Sequence, residues 1–212
     1  MPVKNQKKGD TDMEHCMQPI PIQTYALPYP SICFPQLIAW NTNIINTTIF
    51  EKVMALFRNV NDLGYYQPGV TEMIGTYELK NNQRGIVSFT FTNFANMPGL
   101  AHPVEFMDSI TADANTDIIY PLSDLFKPGS RYMEQINAII EKQISDRNIP
   151  LLDGFQGIKP NQKYYLADKS IVIYFDEYDI TPGYVGFPMF PISGYDLQSS
   201  VKSTSPLGMM LS

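Results

Sequence analysis

The sequence predicts an α+β domain, in which two main helices pack on one face of a mainly antiparallel sheet. Two stretches have helical periodicity, several others alternate as strands do, and helices and strands do not alternate regularly along the chain. With 212 residues, 44% of them hydrophobic, the chain can bury one core or two small units that share a core. No repeat, heptad pattern or long low-complexity tract is present in the sequence.

Both helices are predicted from apolar residues that recur every three or four positions. The first is expected within residues 37–59, with a buried face formed by Ile38, Ile45, Ile49, Val53, Leu56 and Phe57. The second is expected to begin at Ser130, which can cap its N-terminus, and to end before Pro150. Its predicted buried stripe is Met133, Ile136, Ile140 and Ile144.

The strands are predicted from alternation with a period of two. Residues 71–79 and 85–93 flank a polar turn and are expected to form a hairpin, with a third strand at 104–112. A second hairpin and a last strand, which two prolines interrupt or place at a sheet edge, are expected at 163–166, 170–175 and 187–192. One face of this sheet should meet the core and the other should meet water.

Both chain ends are expected to be mobile. The prediction assigns 1–24 to an N-terminal tail, 25–110 and 111–198 to two subdomains, and 199–212 to a C-terminal tail. Met209 and Met210 near the C-terminus suggest a contact. Cys16 and Cys33 are separated by a proline-rich stretch, which leaves both a disulfide and two separate thiols open, the thiols being favoured.

Charge and hydropathy exclude several classes of function. The 15 Lys and Arg against 21 Asp and Glu give a net charge of −6, which disfavours nucleic acid as a partner. No run approaches the roughly 18 apolar residues that a membrane-spanning helix needs. The basic first residues are not followed by an apolar region, so we expect no signal peptide and a cytoplasmic protein or one exported by another route.

A search for catalytic, cofactor and metal motifs finds nothing specific. The two His and two Cys are too few for a zinc site, and phosphate-binding and serine-hydrolase motifs are absent from the sequence. Asp113, Asn115 and Asp117 have the spacing of calcium ligands, but the glycine and glutamate that complete such a loop are missing, which favours a plain turn. We therefore expect no cofactor, no metal and no catalytic residue.

Several short segments in the second half of the chain resemble the C-terminal extracytoplasmic domain of the RsiV anti-sigma factor family, a domain of unknown function. They are YPLSDLF at 120–126, FQGI at 155–158, QKYYL at 162–166, IVIYFDEYDITPGYVG at 171–186 and FPMFPI at 187–192. Segments of the first half resemble the companion N-terminal subdomain of that family. These are FPQL at 34–37, Asn41 with IN at 45–46, YEL at 77–79, IVSF at 86–89 and GLAHP at 99–103.

The resemblance implies a binding domain without catalytic activity. In the RsiV family this domain lies outside the membrane and binds lysozyme, so the resemblance favours an extracytoplasmic location, while the sequence itself favours a cytoplasmic or spore-associated one. Four residues match family motifs of structural type. They are His102, Phe126, Phe175 and Gly186.

The tyrosine-rich turn at 174–184 has two interpretations. In the first, its side chains pack against the sheet and have a structural role, which is favoured because tyrosines are commonly half-buried in sheets. In the second, it forms an acidic aromatic surface for a basic protein partner. The candidate binding residues are Tyr174, Asp176, Glu177, Tyr178, Asp179 and Tyr184.

Three hypotheses about function follow. The first is a binding or sensing domain for a lysozyme-like protein or for a cell-wall ligand such as peptidoglycan. The second is a structural or assembly protein of a bacterial spore or envelope. The third and weakest is a wall-polymer hydrolase that uses Asp176, Glu177 or His102; adjacent residues of a strand point to opposite faces, so Asp176 and Glu177 are poorly placed as an acid and base pair.

Overall fold

A computed structural model describes residues 18–212 of the chain and confirms the α+β class. The strands form two sheets, and each of the two main helices packs on a sheet of its own. The strands are β1 (Ile22–Leu27), β2 (Ser31–Leu37), β3 (Glu72–Gln83), β4 (Ile86–Asn96), β5 (Val104–Asp113), β6 (Ile118–Ile119), β7 (Tyr164–Ala167), β8 (Ser170–Tyr174) and β9 (Met189–Ser193). The helices are α1 (Asn43–Asp62), α2 (Tyr132–Asp146) and α3 (Pro206–Leu211).

The first sheet contains β1 to β6 in chain order, and all its neighbouring strands are antiparallel except β2 and β3. Its centre is the predicted hairpin of β3 and β4, in which Thr76 pairs with Thr92. Both strands extend beyond their predicted ends because each continues to find a backbone partner in the other or in β5. Phe89 and Phe91 of β4 are fully buried against α1.

Helix α1 begins at Asn43, later than predicted. The Asn46 side chain binds both backbone groups of Leu37, at 2.8 Å for the amide and 3.0 Å for the carbonyl, so Leu37 remains the last residue of β2. The helix start is held by Asp117, whose two carboxylate oxygens accept the amide protons of Ile44 and Ile45 at 2.8 and 2.9 Å. This pair of bonds satisfies two donors that every helix N-terminus leaves unpaired.

The second sheet has the order β7-β8-β9 and is antiparallel throughout. It packs with α2 and α3 around a second core that includes Ile136, Ile140, Phe175 and Phe190. Leu166 of β7 donates its amide proton to the Ser88 hydroxyl at 3.0 Å, which joins this sheet to the first. None of the helices within residues 18–212 combines the length and hydropathy needed to cross a bilayer.

The chain ends differ from the predicted tails. In the C-terminal segment 199–212, α3 places Leu207 and Met210 in the second core, and the Ser205 hydroxyl caps it by accepting from the Gly208 amide at 3.3 Å. Arg84 donates to the Met209 carbonyl. These apolar residues fold inward because they complete the core of the second sheet, so Met210 is not available for an external contact.

At the other end, β1 begins at Ile22, inside the predicted mobile segment 1–24, and pairs with β2 over its whole length. Residues 1–17 lie outside the described part of the chain, and the expectation that Cys16 and Cys33 are two separate thiols therefore stays a prediction. The predicted subdomain boundary at 110–111 falls inside β5, whose strand continues to Asp113 because it pairs with Ile86 of β4 there.

Candidate functional site

The candidate site is the loop that connects β8 to β9, residues 175–188, called the binding loop below. Its first residue, Phe175, is buried and makes edge-to-face contacts with Phe155 and Phe190, at centroid distances of 6.0 and 5.9 Å. In the middle of the loop, the Ile180 carbonyl accepts the Leu152 amide proton at 3.0 Å. The loop is therefore anchored to the second core at two points.

Two tyrosines of the binding loop point outward. The Tyr184 residue is 83% exposed and Tyr178 is 58% exposed. The Tyr178 ring lies against Gly183, where an added Cβ would come within 2.2 Å of it, so any other residue at 183 would displace the ring. Gly186 ends the turn with φ 72° and ψ −135°, a conformation that glycine adopts most readily.

Tyr174 does not belong to this exposed surface. It is the last residue of β8, and its side chain is fully buried between the two sheets. Its hydroxyl donates to the Ser109 hydroxyl at 2.8 Å, and Ser109 donates in turn to the Tyr164 carbonyl at 2.6 Å. Burial raises the pKa of Tyr174 well above the ordinary value of a tyrosine. Its position supports the scaffold interpretation for this one residue.

Two of the three candidate acids are paired with lysines. Both carboxylate oxygens of Asp176 lie 2.8 Å from the Lys163 ammonium group, which also donates to the Met107 carbonyl at 2.8 Å. Asp179 lies 3.2 Å from the Lys159 ammonium group. These pairs fix the binding loop to β5 and to the segment before β7, and they neutralise part of its negative charge.

A cavity of about 320 Å³ opens between the binding loop and the start of β5. Its apolar wall includes Phe106 and Phe187, and its acidic groups include Glu105 and Glu177. Burial raises the pKa of Glu177, the nearby Glu105 raises it further, and His102 lowers it. Burial likewise raises the pKa of Glu105. The structure thus brings together two carboxylates from distant parts of the chain.

The residues that match family motifs have structural positions, apart from His102. Phe126 is buried and stacks on Tyr132 with a centroid distance of 4.3 Å. His102 is exposed, and its Nδ1 lies 3.0 Å from the Pro103 carbonyl oxygen. Within residues 18–212, no group of three His, Cys, Asp or Glu side chains has an arrangement that could hold a metal ion.

Sequence reasoning missed Glu105, Lys159 and Lys163. Glu105 lies on β5, far along the chain from the binding loop, and no spacing in the sequence connects the two. Lys163 precedes β7 and is separated from its partner Asp176 by one hairpin. The hairpin prediction, which was confirmed, contained the signal for this pair because a hairpin places its two ends side by side.

Comparisons with known proteins identify the second half of the chain most clearly. Residues 123–194 match the profile of a family described as protein of unknown function DUF3298. The chain is also similar to the anti-sigma-V factor RsiV of Bacillus subtilis (strain 168), with 36% identity over 95 residues. That match covers 39% of this chain and 33% of RsiV, so the chain spans about a third of the length of this relative.

Two crystal structures share the fold at low sequence identity. A DUF3298 family protein from Pseudomonas aeruginosa PAO1 superposes with a TM-score of 0.67 at 17% identity, covering 87% of this chain and 95% of that one. A second, from Bacteroides fragilis NCTC 9343, has a TM-score of 0.62 at 12% identity and covers 90% of this chain and 97% of that one.

The fold is therefore shared over most of the described chain, whereas the family profile covers the second sheet with α2 and the binding loop. Residues 123–194 of this chain are therefore similar to the DUF3298 family, and part of the chain is similar to the anti-sigma-V factor RsiV.

Proposed function

We propose that this chain is a protein-binding module without catalytic activity, and that its binding loop recognises a basic partner of the lysozyme type. The observation that carries the proposal is the position of Tyr184, which is 83% exposed on a loop anchored to the second core. The similarity to an anti-sigma factor supports a role in contacts between proteins.

The geometry of the loop favours binding because little order has to be created on contact. Tyr178 is held by Gly183, and the Asp179 amide donates to the Asp176 carbonyl at 3.1 Å, which closes the turn between them. Exposed tyrosines on a fixed backbone supply a large contact area at a low cost in conformational entropy.

Charge favours a basic partner. The chain carries a net charge of −6, and Glu105 and Glu177 line the cavity beside the loop. Opposite charges on two proteins speed their encounter and help to set their orientation. A lysine or arginine that entered the cavity would neutralise two carboxylates whose charged forms are disfavoured by burial.

The test is a calorimetric titration of the full chain with lysozyme, with cytochrome c as a basic protein of another fold. We expect binding to lysozyme that is stronger than binding to cytochrome c. Tyr184→Ala should weaken it about tenfold or more, as loss of a central aromatic contact does. Tyr195→Ala is the matched control, since Tyr195 is also exposed but lies outside the binding loop.

Two further measurements test the contribution of charge to binding and the alternative that the ligand is peptidoglycan. Binding should weaken as salt rises, and Glu177→Gln should reduce that salt dependence because one carboxylate is removed. Co-sedimentation with purified peptidoglycan tests the cell-wall ligand: retention that Tyr184→Ala leaves unchanged, without lysozyme binding, would contradict the proposal. Equal binding of lysozyme by the Tyr184→Ala and Tyr195→Ala variants would also contradict it.

A further inference from the structure

The first sheet ends in two strands, β1 and β2, that contain no charged side chain. From Cys16 to Phe50 the sequence has no Asp, Glu, Lys, Arg or His, and the described part of this stretch forms β1, β2 and the start of α1. Of the six large apolar side chains that are exposed in the described part of this stretch, four define what we call the uncharged face. They are Tyr25, Ile38, Trp40 and Phe50.

The apolar side chains of the uncharged face are exposed to solvent to a large extent. Trp40, the single tryptophan of the chain, is 97% exposed at the turn between β2 and α1. Tyr25 stacks on Phe34 at 6.1 Å between centroids, and Phe34 contacts Phe50 at 5.5 Å, so these rings form one continuous aromatic group. Adjoining exposed apolar side chains of this kind mark interaction surfaces.

Beside these rings lies an end strand. β1 is the first strand of the six-stranded sheet, and its residues from Gln23 to Ala26 are exposed. The Pro21 carbonyl accepts the Ile38 amide proton at 2.8 Å, and backbone groups alternate in direction along a strand. The backbone groups of Ile22, Thr24 and Ala26 therefore face away from β2.

Natural proteins usually protect such an edge with charged side chains, bulges or a covering segment. β1 contains no charge, and among residues 18–212 no backbone group hydrogen-bonds to its outer side. Instead, Pro21 precedes the strand and Pro28 follows it, which confines any pairing to the six residues of β1.

We propose that the uncharged face and the edge of β1 bind a second copy of this chain. The β1 strands of the two copies would pair antiparallel about a two-fold axis at Thr24, with Ile22 of each copy opposite Ala26 of the other. The first sheets of the two copies would then form one continuous sheet. Each copy carries a charge of −6, so two copies repel, and contact is least costly where the surface has no charge. A membrane is a poorer occupant because this face has no Lys or Arg to attract anionic lipids.

The experiment measures the mass of the full chain by sedimentation equilibrium over a wide range of concentration. Wild type should form a dimer. Ala26→Lys and Trp40→Lys should each raise the dimer dissociation constant about tenfold or more. Leu152→Lys is the matched control, because Leu152 is also an exposed apolar residue but does not belong to the uncharged face. A lysine lowers the net negative charge, so a loss of dimer would report a local effect rather than general repulsion.

Amide hydrogen exchange gives a second measurement that does not depend on variants. The amide protons of Ile22, Thr24 and Ala26 should exchange more slowly as protein concentration rises, while that of Leu152 should not change. The proposal is overturned if wild type stays monomeric at all concentrations, if the dimer survives both lysine variants, or if zwitterionic vesicles bind wild type through Trp40 without any dimer.

Discussion

The two sheets of this protein end differently. The second sheet is closed along β9, where the Gln143 side chain donates to the Pro191 carbonyl at 2.7 Å and Arg147 donates to the Met189 carbonyl at 2.8 Å. Gln143 belongs to α2, which packs on this sheet, and Arg147 directly follows that helix. The first sheet has no comparable cover along β1 among residues 18–212.

The two halves of the protein therefore differ in what they expose. The closed half is the second sheet with α2 and α3, and the open half is the first sheet with α1. The closed half supplies a rigid base for the binding loop, because Phe175 is packed between Phe155 and Phe190. The open half offers a backbone edge and an uncharged face. Changes to the closed half should therefore cost much stability, and changes at the surface of the open half should cost little.

The largest loss of stability is expected for Leu207→Ala in α3, which would leave a cavity in the core of the closed half. Leu207 is fully buried, and its Cδ1 would lie 2.9 Å from a Cβ added at Gly194, so the site is tightly packed. Removing such a leucine costs about 2–5 kcal/mol of unfolding free energy. Chemical denaturation measures this loss.

The matched control for this change is Leu211→Ala, in the same helix but only partly buried, which should cost less. Tyr25→Ala, at the uncharged face of the open half, should cost still less. If Leu207→Ala cost no more than these two variants, the view that α3 completes the second core would be wrong.

The next effect is expected for Asp117→Ala, which removes the cap of α1 in the open half. Both oxygens of Asp117 accept helix amide protons, so its loss should cost about 1–2 kcal/mol. Asp117→Asn keeps one acceptor and suits the positive φ of 57° at this position, so it should cost less. Equal losses for the two variants would contradict the capping role.

A smaller effect is expected for Tyr174→Phe, which removes one hydrogen bond between the two sheets. At neutral pH the variant should lose about 1 kcal/mol, because the bond to Ser109 is lost. Tyr184→Phe, at an exposed position of the binding loop, should lose nothing measurable.

The same variant tests the pH dependence of stability. Since burial raises the pKa of Tyr174 above its unfolded value of about 10, its contribution is present below that pH and is lost as pH rises above it. Alkaline unfolding curves should therefore fall less steeply for Tyr174→Phe than for wild type. A parallel fall in both proteins would contradict the assignment.

The smallest effect is expected for Glu105→Gln at the cavity between the halves. Burial raises the pKa of Glu105, so its contribution to stability is greatest below its unfolded pKa and is lost as pH rises through its folded pKa. At neutral pH the glutamine variant should melt slightly higher than wild type, by a small amount because solvent screens this partly exposed group. Thermal melting at neutral and at acidic pH measures the difference, and a lower melting temperature at neutral pH would contradict it.

Local pattern was sufficient for most elements of the fold. The second helix was predicted to begin at Ser130, as its cap, and to end before Pro150. The helix α2 spans Tyr132–Asp146, but Arg131 occupies the cap position and no side chain caps the helix. The hairpin of β3 and β4 was predicted equally well, because alternation and turn residues are properties of a short stretch. The start of α1 was not predictable in the same way, since its cap, Asp117, comes from a distant turn.

In the candidate site, too, some features follow from the local sequence and others only from tertiary packing. The sequence by itself determined that Tyr178 and Tyr184 share one turn with acidic residues, since chain proximity guarantees it. Only the tertiary structure decided that Tyr174 points into the core, that Glu105 joins Glu177 at one cavity, and that Leu207 is buried. The physical reason is that a local pattern indicates which residues share a face, while the partner that covers that face is brought from elsewhere in the chain by packing.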